Sequence, residues 1–346
     1  TVLSRGLGDV YKRQAGVKDL IVVDTPDALL VCSSDASQAV KAIHANFHAR
    51  QSPCARLHGP ETAAFDGYMR SWTRDWLFNK VLPFWADEAT DSEFGGSAEA
   101  VDFSGRPLFD LPRRLRVQAR QTYSFAHAYL MGWEPGLEAM RKPLEFMLQH
   151  YRHESGGWIC SVGRNGVPID QGVESYEQAF VILALGWAAK ATGDTKLLKL
   201  GEETIDFLLE NMRHPKGGFV ENLKGADYRR ANPHMHLLET AMHWANLHKN
   251  VRLFELSKEL YGLYESRFSV DGLLREYFDE DLRLPETVSS PERLYLEPGH
   301  LIEWAYLIRR YEDLHGVKDG TVAMLAGFAE QYGVHEETGL FSDHVS

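Results

Sequence analysis

Long apolar runs are missing from this chain: no stretch reaches the roughly eighteen apolar residues that a membrane-spanning helix needs. A membrane partner is therefore not expected. Cysteine is scarce. Cys32, Cys54 and Cys160 are the three present, they stand at no metal-ligand spacing, and an odd number without a signal peptide points to a reducing compartment, read as cytoplasmic. Positive charge is also in deficit, with 37 Lys and Arg against 49 Asp and Glu. A net charge of −12 leaves no basic face for nucleic acid or an anionic membrane, so a small neutral or locally neutralised ligand is the better expectation. What is present is ordinary globular material, 44% hydrophobic and 25% charged over 346 residues, enough for a large core.

Residues 1–14 show neither helical nor strand periodicity and read as a non-native leader outside the fold. Residues 15–47 hold two short β-branched runs, broken by Asp24-Thr25-Pro26-Asp27, and then a helix-like Ser37 to Phe47, a small α/β piece. Residues 48–61 are polar with two prolines and read as a linker. From residue 62 the 3.6-residue period predicts helices at about 62–87, 113–132, 135–152, 172–192, 194–213, 234–248, 250–268, 293–314 and 317–333. Between alternate helices lie Gly95-Gly96, Gly156-Gly157, Gly217-Gly218, Asp271-Gly272 and Thr338-Gly339, about sixty residues apart. A repeat of helix, glycine turn and helix cannot bury its apolar face alone, so the hairpins must stack. The economical solution is an all-α ring, an (α/α)6 barrel in which the helix after each glycine turn is the inner one.

The densest chemistry lies in Ala231-Asn232-Pro233-His234-Met235-His236-Leu237-Leu238-Glu239. Asn232 reads as a cap and Pro233 as the first turn, which places His236 and Glu239 on one helical face. Gln178 precedes His236 by fifty-eight residues, Arg120 precedes Gln178 by fifty-eight more, and His300 follows His236 by sixty-four. These four are expected to face one cavity, with Tyr123 one turn from Arg120. His234, His243 and His248 fall off that period and read as capping or surface residues. His300 with Glu303 repeats the spacing of His236 with Glu239. Such pairs also hold metal in di-iron bundles, but Arg120 and Gln178 fit that poorly, so neither metal nor cofactor is expected. Proton transfer remains: a histidine is the suited base near neutrality, and a neighbouring carboxylate fixes its tautomer. Arg120 is suited to hold a sugar oxygen or a developing enolate charge.

The segments ANPHMHLLE, EPGHLIEW, LRVQARQTYSFAHAY and SYEQAFVILALG resemble the N-acylglucosamine 2-epimerase family over residues 62–346, and within it the mannose-6-phosphate isomerase-like subgroup. The resemblance implies an (α/α)6 barrel and the isomerisation of mannose 6-phosphate to fructose 6-phosphate through an enediolate, or epimerisation or isomerisation of a free sugar. It implies Arg120 as substrate-binding near the reacting carbons, His236 as general base or acid, and Glu239 as its orienting partner. Tyr123, Tyr176, Gln178, Asn232, His300 and Glu303 would line the same cavity. Many members carry histidine where this chain has Gln178. A further catalytic histidine on the family's last inner helix has no counterpart before Ser346, so the barrel is expected to be C-terminally incomplete. Val23-Asp24-Thr25-Pro26-Asp27-Ala28-Leu29-Leu30-Val31 resembles the end of the nucleotidyltransferase domain of mannose-1-phosphate guanylyltransferases. That piece and the barrel suggest one mannose pathway, with Arg229 and Arg230 the nearest cations for a phosphate. A glycoside hydrolase using Glu239 and Glu303, or an inactive truncated scaffold, are the alternatives of another class. A homodimer is left open.

Overall fold

The computed structural model describes residues 20–24, 29–33 and 71–346, except 271–272, 285–295, 319, 336–339 and 345–346. The expected leader, the helix-like residues 37–47, the linker 48–61, the start of the 62–87 helix and the turns at Asp271-Gly272 and Thr338-Gly339 lie outside the described residues. The chain divides into two compact units, Thr1–Val81 and Leu82–Ser346. In the first, β1 (Leu20–Asp24) pairs antiparallel with β2 (Leu29–Ser33), where the two β-branched runs predict a hairpin. The second unit is built from α1 (Leu82–Ala86), α2 (Leu115–Leu130), α3 (Gly136–His150), α4 (Ser175–Thr192), α5 (Thr195–Asn211), α6 (Ala231–His248), α7 (Val251–Leu263), α8 (Pro298–His315) and α9 (Thr321–Gly333). Short antiparallel ladders fill the loops: β3 (Ala100–Val101) with β4 (Pro107–Leu108), then β5 (Arg113–Arg114), β6 (Ser161–Val162) and β7 (Pro168–Asp170) in one sheet. Further on, β8 (Tyr228–Arg230) pairs with β11 (Tyr277–Asp279), and β9 (Ser269–Val270) with β10 (Leu273–Leu274).

Each even-numbered helix from α2 to α8 packs on the odd-numbered helix after it, and α2, α4 and α6 each pack also on the next even-numbered helix, so α2, α4, α6 and α8 form an inner row. The sequence explains the difference between rows. α4 reads Ala179-Phe180-Val181-Ile182-Leu183-Ala184-Leu185 with every one of these residues buried, as suits a helix covered on all sides. α5 is amphipathic instead and buries one face through Leu197, Ile205, Phe207 and Leu208. Gly193, left-handed at φ 71°, ends α4, and the Asp194 carboxylate accepts from the Lys196 N–H to start α5.

Register between α4 and α6 is set by side chains that reach across to carbonyls. Thr240 Oγ1 donates to the Ala179 carbonyl at 3.0 Å, Trp244 Nε1 to Ile182 at 2.7 Å and His248 Nε2 to Gly186 at 2.9 Å. Trp244 needs room for this: a Cβ at Gly186 or Gly201 would stand 2.5 or 2.6 Å from its ring. His248, expected at a cap or surface, is thus a helix-to-helix tie.

The glycine turns are a repeated device. Gly95, Gly156 and Gly217 all have left-handed φ, and single bridges Thr90 to Ser97, Arg152 to Trp158 and Arg213 to Phe219 close the arms around them. Each arm is pinned by an inner-helix side chain. The Gln118 amide exchanges two hydrogen bonds with the Ser97 backbone, at 2.8 and 2.9 Å, and Gln178 does the same with Trp158, both at 3.0 Å. In the third repeat an imidazole and a guanidinium replace the amide. There His234 Nε2 accepts from the Phe219 N–H at 3.0 Å, and Arg229 Nε donates to the Phe219 carbonyl at 3.1 Å.

This device makes acid stability depend on His234. Its Nδ1 donates to the Arg230 carbonyl at 2.8 Å, which leaves Nε2 as the acceptor. Burial first, then the charge of Arg229, push its pKa down to about 3, while an unfolded imidazole titrates near 6.5. Between those values the unfolded chain binds a proton that the folded chain does not, so stability falls as pH falls from about 6.5 towards 3. His243, pushed down to about 4 chiefly by burial, adds in the same direction. A His234→Gln chain, which restores the amide of the other two repeats, is expected to lose less stability between pH 7 and 4 in urea titrations. An unchanged pH slope would refute this.

Candidate active site

Counting from the first residue of each inner helix, Arg120, Phe180, His236 and Glu303 all stand sixth. They form one layer. His236 is almost wholly buried, and its Nδ1 lies 3.1 Å from Glu239 Oε2 and 3.8 Å from Glu303 Oε1. The Phe180 ring packs on the His236 ring at 4.6 Å between centroids, and the Arg120 guanidinium lies over Phe180 at 4.2 Å. Tyr176 presents its ring edge-on to His236 at 5.2 Å. Among the described residues, no carboxylate is within ion-pair distance of Arg120. Burial pushes the Glu239 carboxyl up, but the His236 hydrogen bond and the charges of His236, His243 and Arg120 outweigh it and hold it below the usual range.

Gln178 is not part of this layer. It stands fourth on α4 with Gln118 fourth on α2 and His234 fourth on α6, fully buried and committed to the Trp158 arm, and it donates also to the Glu174 carbonyl. The fifty-eight-residue count missed the register by two positions, and two positions turn a side chain by about 200° around a helix. Phe180 is the residue that takes the place on α4. His234, expected at a cap or surface, is core for the same reason. Starts matter too: α6 begins at Ala231, three residues before the expected position, with Arg230 as the N-cap residue. Asn232 is therefore inside the first turn and not a cap; its Nδ2 lies 3.3 Å from His300 Nε2.

His300 and Glu303 do not pair as His236 and Glu239 do. His300 Nδ1 meets Glu276 Oε1 at 2.9 Å and Glu297 Oε2 at 3.2 Å, whereas Glu303 turns to His236. Burial lowers the His300 pKa, but the Glu276 hydrogen bond and the surrounding carboxylates raise it overall. Glu276, on the loop before β11, carried no helical signature that could have marked it in the sequence. Two trios, His236-Glu239-Glu303 and Glu276-Glu297-His300, each bring one nitrogen and two carboxylate oxygens within 4.8 Å of one another, a donor set that a divalent cation can use.

The cations named for a phosphate are already engaged. Arg229 is buried and bonded to the Gly217 and Phe219 carbonyls, and Arg230 Nε lies 2.7 Å from Glu221 Oε2. Below the His236 layer the inner face continues with Tyr123, Leu183, Glu239 and Tyr306 in the ninth positions and His127, Trp187, His243 and Arg310 in the thirteenth. Tyr123 packs edge-on against Trp187 at 5.4 Å and lies 6.1 Å from the His243 ring. His243 is thus an inner-face residue and not a surface one.

Comparison with known proteins gives a consistent picture. Residues 95–341 match the family model described as N-acylglucosamine 2-epimerase (GlcNAc 2-epimerase). Residues 14–45 match that of a MannoseP isomerase/GMP-like beta-helix domain, where the sequence alone points to the end of a nucleotidyltransferase domain. The mannose-6-phosphate isomerase of Rhizobium meliloti is 32% identical over 248 residues, 70% of this chain and 63% of that protein. The cellobiose 2-epimerase of Bacteroides fragilis is 26% identical over 287 residues, covering 77% of this chain and 71% of that one. The fold is that of the cellobiose 2-epimerase from Spirochaeta thermophila, with a TM-score of 0.69 at 24% identity over 77% of this chain and 70% of that chain. Among the described residues no helix is long and apolar enough to cross a membrane.

Proposed function

Because the chain belongs to the N-acylglucosamine 2-epimerase family, we propose that it is a sugar isomerase acting by proton transfer through an enediolate, with mannose 6-phosphate to fructose 6-phosphate as its reaction. The observation that carries this reading is the buried His236 imidazole, its Nδ1 against the carboxylates of Glu239 and Glu303, with Arg120 held across Phe180. A carbon acid beside a carbonyl is weak, and its conjugate base needs a donor aimed at the developing oxyanion. In the forward direction His236 takes the C2 proton of the open-chain aldose. Arg120 stabilises the charge on the enediolate oxygens while the hydroxyl proton passes from O2 to O1, and a proton returned at C1 completes the ketose. Glu239 holds the imidazole in place and raises its basicity. On this reading the inner and outer rows belong to an (α/α)6 barrel covering residues 62–346, with residues 15–47 a separate piece and 48–61 a linker.

The phosphorylated substrate is supported by the name of the Rhizobium relative and by the mannose-related N-terminal match. Epimerisation is the second reading, favoured by the Bacteroides relative; it differs only in returning the proton to C2 from the other face. Glycoside hydrolysis fits less well. Both carboxylates, Glu239 and Glu303, face the same His236 nitrogen, so they serve the imidazole rather than flank a glycosidic oxygen as an acid and nucleophile pair must. Incubating the full chain with fructose 6-phosphate in deuterium oxide tests the proposal: mannose 6-phosphate deuterated at C2 is expected. Formation of a glucose epimer from mannose 6-phosphate with no ketose would move the assignment to the epimerase, and release of an aryl leaving group from a glycoside would sink it.

A further inference from the structure

A cavity of about 230 Å³ opens between α6 and α8, lined by His243, Asn246, Tyr306, Arg310 and Asp313 among others. It lies on the inner face below the His236 layer. Glu303, Tyr306 and Arg310 share one stripe of α8 at intervals of three and four residues, as His236, Glu239 and His243 do on α6. Arg310 thus stands two turns beneath Glu303, about 10 Å along the axis. Among the described residues no carboxylate lies within ion-pair distance of its guanidinium; Asp313, one turn away, is turned to Arg309 at 3.8 Å. Its charge reaches the other inner helices and contributes to lowering the pKa values of His127 on α2 and His243 on α6, for both of which burial is the larger cause.

The geometry points to this cavity as a subsite for the terminal phosphate of a hexose phosphate, with Arg310 as the cation that takes it and His243 and Asn246 as flanking donors. This rests on the isomerase reading of the same inner face. The volume is below the roughly 300 Å³ of a complete small-molecule pocket, so it suits one end of a substrate rather than the whole. An extended six-carbon chain with its phosphoester is of the same order of length as the two turns that separate Arg310 from the proposed proton-transfer layer. The planar fork of arginine matches phosphate oxygens two at a time. Asp313, on the cavity wall, opposes the dianion, so the two side chains predict effects of opposite sign.

The full chain is compared with Arg310→Ala, Arg310→Lys and Asp313→Asn, using fructose 6-phosphate and fructose as substrates and inorganic phosphate as a calorimetric probe. Arg310→Ala is expected to raise KM for the phosphorylated sugar on the order of tenfold to a hundredfold and to leave KM for the free sugar unchanged. Arg310→Lys is expected to restore part of that loss, and Asp313→Asn to tighten binding of inorganic phosphate. Equal effects on both sugars, or phosphate binding that none of the variants changes, would overturn the subsite. Should the parent chain turn over neither sugar, the isomerase reading fails, and the phosphate titration of the variants decides the subsite by itself.

Discussion

Replacing His236 by alanine is expected to abolish exchange of the C2 proton with solvent, a loss on the order of a hundred- to ten-thousand-fold, the usual contribution of a positioned general base. The imidazole packs against both Phe180 and Tyr176 and is hydrogen-bonded to Glu239, so the orientation of its ring is fixed. Glu239→Gln should cost less, because an amide still accepts from the imidazole N–H and loses only the charge that raises its basicity. Arg120→Lys should lower kcat, since a compact ammonium does not reproduce a planar fork. Deuterium wash-in at C2, followed by NMR, separates these effects from binding. Near-full exchange in His236→Ala would show that the base lies elsewhere and that α6 is only a well-packed core helix.

The second large effect concerns stability. Asp91→Ala is expected to cost about 3–5 kcal/mol, because it strands a buried guanidinium. The Arg113 and Asp91 side chains are 0% and 1% exposed. Asp91 also accepts from Arg164 Nε at 2.7 Å and from the Glu93 and Phe94 N–H groups. Burial alone would raise the Asp91 pKa, yet these donors together hold it far below the usual carboxylate range. Arg113 lies immediately before α2, and Tyr151 Oη donates to its carbonyl at 3.0 Å, so the pair ties the first glycine arm and α3 to the helix that carries Arg120. Chemical denaturation should show the loss, and the double variant Asp91→Ala with Arg113→Met should recover much of it, because an apolar replacement of a buried pair is often neutral. A double variant as unstable as the single one would place the cost in Asp91's bonds to backbone rather than in the stranded charge.

Much of this architecture was legible in the residues. Helical periodicity located the hairpins of the second unit, and the sixty-residue recurrence of glycine pairs assigned α2, α4, α6 and α8 to the inner row, because glycine turns and apolar stripes are local signals. The pairing of His236 with Glu239 was equally local, three residues apart on one helix. Interhelical register was another matter. Gln178 and Phe180 differ by two positions, and nothing local says which faces the axis: Thr240, Trp244 and His248 decide it by reaching the carbonyls of α4. The partners of His300 came from a loop and from the residue three positions earlier, so the expected repeat of the His236 pair did not form.

The sequence by itself therefore determined where most helices of the second unit lie, which row each joins and which imidazole and carboxylate share a face, since these follow from helical periodicity and from the glycine turns between helices. Only the tertiary structure decided that Glu303 turns to His236, that Gln118, Gln178 and His234 with Arg229 are spent on pinning the arms, and that Arg310 has no carboxylate partner among the described residues. The physical reason is that each of those outcomes depends on the rotation of one helix against its neighbour. That rotation is fixed by hydrogen bonds between residues some sixty positions apart, for which no single helix carries a signature.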